Sequence, residues 1–154
     1  MLTIGSQIPD LNGKNQLGED VSLRTTLGTK TVIYFYPKDD TPGCTAQACS
    51  IRDGEQDLAN KGISVIGISA DTVSAHQKFS SKYSLPFTLI SDPNRIIIDA
   101  FGVWGPKKFM GKTYEGIHRT SFLFNDKGIL VKVIEKPNTK NHATEIINYF
   151  NEFQ

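Results

Sequence analysis

Two cysteines, Cys44 and Cys49, are the only thiols of the chain and stand five positions apart. They lie in Pro37-Lys38-Asp39-Asp40-Thr41-Pro42-Gly43-Cys44-Thr45-Ala46-Gln47-Ala48-Cys49. Thr41 followed by Pro42 reads as a helix N-cap with proline at the first helical position, which puts Cys44 in the first turn. Backbone N–H groups there have no intrahelical acceptor, and the helix dipole favours a negative sulfur. An unperturbed thiol is only about 3% ionised at pH 7, and one helix end rarely supplies the rest. A nucleophilic sulfur at this place therefore calls for a nearby cation, and arginine suits because it stays charged and offers a rigid fork of donors.

The second sulfur is held away from the first. In an ideal helix, residues five apart have Cα atoms about 8.6 Å apart and point about 140° away from each other, whereas a disulfide needs Cα atoms within about 7 Å. On a helical wheel Cys44 falls with Ala48, Ile51, Leu58 and Ala59, while Cys49 lies towards the polar side. That arrangement suits an attacking cysteine that is oxidised to a sulfenic acid and a resolving cysteine that reaches it after the helix locally unwinds. Two plainer readings stand beside it: Cys44 as a small buried apolar residue, and Cys49 as an incidental surface thiol.

The elements that must position these residues follow from pattern. After an opening that could hold a short hairpin, Thr31–Tyr36 is a β-branched and aromatic run ended by Pro37, a buried strand. A helix is predicted over roughly 42–60, stopped by Gly62. Ile63–Ser69 is a second strand, and Ser74 with Gln77 forms a capping box for a helix to about Tyr83. Residues 85–90 give a third strand, and Asp92-Pro93 caps a helix to about Phe101. Residues 121–124 and 129–134 flank Asn125–Gly128 as an antiparallel hairpin, and a last helix shows Ala143, Ile146, Ile147 and Phe150 on one face. Alternating β-α-β units closed by a hairpin and a helix predict an α/β fold, a mixed central sheet with helices on both faces, compatible with a thioredoxin-like fold.

Bulk properties narrow the partners. The 154 residues fit one domain, 1–154, and 38% hydrophobic against 21% charged residues argues for a globular core. A formal charge of +1 gives no field to collect nucleic acid or anionic lipid. No run reaches the ~18 apolar residues of a membrane span, and no basic-then-apolar leader opens the chain, so a cytoplasmic protein is expected. His76, His118 and His142 lack the spacing of a metal site, and no metal or cofactor is expected. Asp39 and Asp40 read as turn residues. Trp104 is expected to pack near the site, and Lys107, Lys108 and Lys112 to form a solvated loop or, as the lesser alternative, a docking surface for a reductant.

The pattern Pro37-x3-Thr41-x2-Cys44, directly after an apolar strand, resembles the peroxiredoxin active-site motif. Thr41-Pro42-Gly43-Cys44-Thr45 with Cys49, together with Val103-Trp104-Gly105 and Gly116-Ile117-His118-Arg119-Thr120-Ser121-Phe122, is similar to the peroxiredoxin Q group, also called bacterioferritin comigratory proteins. The resemblance implies Cys44 as peroxidatic cysteine, Cys49 as resolving cysteine and Arg119 as the arginine of the site. It further implies Thr41 as a hydroxyl on the peroxide and Pro37 as a shield of the pocket. Peroxide is then the substrate, a Cys44–Cys49 disulfide the product, thioredoxin or a similar dithiol the reductant, and a monomer the working form. Gln47 stands where many relatives carry glutamate, with an effect on tuning at most. The competing functions are a thiol–disulfide oxidoreductase on the same fold, which usually carries C-x2-C, and a non-catalytic thioredoxin-like binding module.

Overall fold

A short hairpin, β1 (Asn12–Lys14) and β2 (Asp20–Ser22), opens the regular structure. Its loop is held by the Asn15 side chain, which accepts the amides of Leu17 and Glu19. The computed structural model describes residues 1–153. A 3-10 turn at Leu23–Thr26 leads into β3 (Lys30–Phe35), then α1 (Pro42–Asp53) and α2 (Glu55–Asn60). After these come β4 (Ile63–Ser69), α3 (Val73–Tyr83), β5 (Thr88–Ser91) and α4 (Ile96–Phe101). The chain ends with β6 (Trp104–Phe109), β7 (Lys112–Ile117), β8 (Thr120–Phe124), β9 (Leu130–Ile134) and α5 (His142–Phe153).

Seven strands make one sheet in the order β2-β1-β5-β4-β3-β8-β9. β3, β4 and β5 run parallel, while β8 is antiparallel to β3 and β9 to β8. This is the expected mixed sheet, and alternation along β3 divides its two faces. Val32, Tyr34 and Tyr36 pack with Cys44, Phe79 and Ile146, under α1, α3 and α5. Ile33 and Phe35 pack on the other face with Ile97, Phe101 and Phe122, under α4. Among the described residues no helix is long and apolar enough to cross a membrane.

Several local expectations are corrected. The helix drawn over 42–60 is broken at Gly54, where a Cβ would lie 2.5 Å from that of Ala143, so the glycine lets α5 sit close against the joint. α3 is capped by Thr72, whose hydroxyl accepts the Ala75 amide, not by Ser74. The third strand starts only at Thr88, because the chain leaves α3 through Ser84 in the left-handed region and residues 85–87 run irregularly before it enters the sheet. Asp92 does cap α4, through the amides of Ile96 and Ile98. The lysine-rich stretch is no loop: β6 and β7 pair with each other as a separate two-stranded sheet, reversed at Met110-Gly111, both with positive φ.

Candidate active site

β3 ends at Phe35, and the next six residues carry the chain from the C-terminal end of a central parallel strand into α1, the place where open α/β sheets hold their ligands. Pro42 has no N–H to lose, so the unpaired amides of the first turn are those of Gly43 and Cys44; Thr45 N already donates to Thr41 O at 2.8 Å. Cys44 is 2% exposed and Cys49 half-buried, and both are free thiols on an unbroken helix. Thr41 occupies the N-cap position without capping. Its hydroxyl donates instead to the Lys38 carbonyl at 2.8 Å, which leaves its oxygen lone pairs free to accept. Pro37 is half-buried at the head of the same loop.

Arg119 lies between β7 and β8, and the pairing of Thr120 with Phe35 puts it beside the end of β3. Its Nη2 donates to Cys44 Sγ at 3.4 Å and its Nη1 to Gln47 Oε1 at 2.7 Å. A Cβ on residue 43 would stand 3.1 Å from Nη2, so Gly43 leaves the guanidinium room to lie over the first turn. Gln47 is the residue that sequence reasoning undervalued. One turn beyond Cys44 on the same helix face, fully buried, it holds the arginine with a neutral amide, so the guanidinium charge is not cancelled.

Three further groups surround this centre. Tyr34 is fully buried with a hydroxyl that has no partner among the described residues, and burial, followed by Cys44 and Asp39, pushes its phenol well above the usual range. Lys107, expected in solvent, is half-buried and donates to the Ile117 carbonyl at 2.8 Å; burial first, then the Arg119 charge, pulls its ammonium down. His142 takes the Ser121 hydroxyl on Nε2 at 2.7 Å and gives Nδ1–H to Glu145 at 2.8 Å. Burial holds its imidazole below the usual range, against the opposing Glu145 carboxylate. Trp104 packs against the apolar cluster on the other face, with Arg95 4.4 Å over its ring, not beside Cys44.

Asp39 and His76 depart furthest from their sequence reading. Asp39 lies in the expected turn, but its carboxylate is buried against His76, and Asp71 joins them, with ligand-type atoms of the three within 4.8 Å of one another. Each is already engaged by hydrogen bonds, to Tyr36, Ile90 and Ser69, so the cluster is a polar network.

The fold and this site together define a class, the thioredoxin-like thiol peroxidases. The model of the AhpC/TSA family matches residues 4–133. A putative peroxiredoxin bcp of Haemophilus influenzae is 48% identical over 148 residues, covering 96% of both chains. Peroxiredoxin Bcp of Escherichia coli K12 is 43% identical over 151 residues, 98% of this chain and 97% of that one. Among solved structures, a cysteine mutant of Xanthomonas campestris peroxiredoxin Q superposes with a TM-score of 0.89 at 32% identity, over 99% of this chain and 100% of the other. The chain belongs to the AhpC/TSA family, and its relatives are peroxiredoxins of the Bcp and Q type.

Proposed function

We propose that Cys44 is the peroxidatic and Cys49 the resolving cysteine of a peroxidase that reduces hydrogen peroxide and organic hydroperoxides. The observation that carries this reading is the donation of Arg119 Nη2 to Cys44 Sγ at 3.4 Å, over a helix N-terminus. A guanidinium and two first-turn amides favour a negative sulfur. The Thr41 oxygen accepts the peroxide O–H, Arg119 donates to the peroxide oxygens, and Pro37 shields the pocket. Sγ attacks the nearer oxygen, the O–O bond breaks, and the leaving oxygen takes a proton and departs as water or alcohol. Cys44 is then a sulfenic acid.

Resolution requires α1 to open, because five helical residues separate the thiols by about 8.6 Å at Cα. The Cys49 sulfur then attacks the sulfenic sulfur, water leaves, and a disulfide forms. An external dithiol, thioredoxin or one similar, returns two electrons and both protons by exchange. The alkyl peroxide reduction named for a Xanthomonas campestris bacterioferritin comigratory protein, with a TM-score of 0.86 to this chain at 33% identity, supports the organic substrates. All the named groups come from one chain, which supports a monomeric, single-domain enzyme; a cytoplasmic setting fits free thiols.

The test is hydrogen peroxide consumption with thioredoxin, thioredoxin reductase and NADPH. Cys44→Ser is expected to be inactive, and Cys49→Ser to turn over once and stop. Normal cycling by Cys49→Ser removes the resolving assignment alone, and activity in Cys44→Ser removes the whole reading.

A further inference from the structure

The peroxide chemistry leaves unused a buried pair directly behind the Lys38–Thr41 loop. His76 is fully buried, with Nδ1 2.6 Å from Asp39 Oδ2 and Nε2 3.0 Å from the Ile90 carbonyl oxygen. Both partners are acceptors. The imidazole thus bridges the Asp39 carboxylate and the Ile90 carbonyl through its two nitrogens. Asp39 Oδ1 accepts the Tyr36 hydroxyl at 2.6 Å. That phenol is pushed well up, by burial first and then by Tyr34 and Asp39, and so remains a donor. The Asp39 amide donates to Asp71 Oδ2 at 2.9 Å, which also takes the Ser69 hydroxyl at 2.6 Å.

Asp39 is thus tied by side chain and backbone to Tyr36 just after β3, to the turn after β4, to α3 and, through His76, to β5. Two residues later Thr41 presents its hydroxyl and α1 begins. The adjacent Asp40, at φ 56°, points the other way, to Lys82 Nζ and the Tyr83 hydroxyl, each at 2.8 Å. α3 therefore grips the loop twice. The outer grip is exposed, 57% for the Lys82 side chain and 44% for Asp40, and solvent screens it; the inner one is dry and satisfied on every side, the condition in which a polar network is rigid.

We propose that His76 is a positioning residue for the peroxide reaction: its hydrogen bond to Asp39 fixes the loop that aims the Thr41 hydroxyl at substrate over Cys44. The proposal rests on the roles given above to Cys44 and Thr41. Without the imidazole, Asp39 turns towards water and the loop loosens, while Arg119 and Gln47 keep their hold around Sγ. The thiol stays reactive and the ordered peroxide contact is lost.

Stopped-flow oxidation of Cys44 by hydrogen peroxide and alkylation of Cys44 by iodoacetamide, both in a Cys49→Ser background, separate these effects. His76→Phe is expected to slow oxidation by about tenfold or more and to leave alkylation within about twofold, since misaligned positioning costs up to ~100-fold. Asp39→Asn, whose amide accepts from Tyr36 and donates to Nδ1, holds the oxidation rate within about threefold, and Lys82→Met behaves as the background protein. A full oxidation rate in folded His76→Phe overturns the proposal. So does equal slowing of both reactions, a slow Asp39→Asn, or a Lys82→Met as slow as His76→Phe. Should His76→Phe fail to fold by circular dichroism, His76→Gln is judged by the same two rates. Failure of the underlying site reading shows separately, as peroxide consumption that survives Cys44→Ser.

Discussion

Replacing Gln47 by methionine separates what this side chain does for the site from what it does for the fold. Gln47 is fully buried; Oε1 accepts from Arg119 Nη1 at 2.7 Å, while Nε2 has no partner among the described residues. Methionine keeps the length and removes both polar groups. Losing a hydrogen bond to a charged group costs about 1.5–3 kcal/mol, and removing an unsatisfied buried N–H group recovers about 1–3 kcal/mol. The two nearly cancel, so Tm is expected to move by no more than about 4 °C, the shift that ~1 kcal/mol produces at this chain length. Activity has no such compensation. Arg119 loses the acceptor that fixes its plane, and the Nη2–Sγ contact at 3.4 Å becomes one arrangement among several. If the ~1.5–3 kcal/mol of that bond goes into holding the guanidinium, oxidation of Cys44 falls roughly 10- to 100-fold. Calorimetry at pH 7 and stopped-flow oxidation with hydrogen peroxide read the two quantities on one preparation. A large drop in Tm at an unchanged rate refutes the reasoning and makes Gln47 a packing residue.

Three other outcomes are expected. Gly43→Ala sets a Cβ 3.1 Å from Arg119 Nη2; stability should hold, since alanine favours the helix, while peroxide oxidation slows by about threefold to tenfold as the guanidinium is displaced. Gly54→Ala drives a Cβ to 2.5 Å from that of Ala143, and overpacking there should cost about 1–3 kcal/mol in urea unfolding without changing the peroxide rate. His142 is held below its usual range by burial, so its folded value lies under its unfolded one. The stability it contributes is complete above about pH 6.5 and is lost as the pH falls from there towards the folded value, because only the unfolded state readily takes the proton. The urea midpoint should therefore drop between pH 7.5 and 5.5, and less steeply in His142→Asn; equal slopes would assign the effect to other groups.

The sequence alone determined what is local. Pro42 after Thr41 sets the start of α1 and so puts Cys44 in the first turn. The helical period holds Cys49 away from it, Gly62 stops α2 with a φ of 69°, and the apolar face of α5 is spaced at the helical repeat. These follow from caps, turn residues and periodicity, whose physics acts over a few positions.

Contacts between distant segments were decided by the tertiary structure. Arg119 meets Cys44 across 75 positions because β8 pairs beside β3, and periodicity carries no such information; only the family resemblance pointed to it. His76 reads as a stray helical histidine until α3 packs over the end of β3 and gives each ring nitrogen an acceptor. Thr41 reads as a cap until the loop offers its hydroxyl a nearer carbonyl at Lys38. β6 and β7 escaped notice because their outer halves are largely exposed and mix lysines with the exposed Phe109 and Tyr114, with no apolar alternation to mark a strand, and they pair with each other as a separate sheet. A buried polar group takes its meaning from the partner that replaces water, and that partner is supplied only when the sheet order is complete.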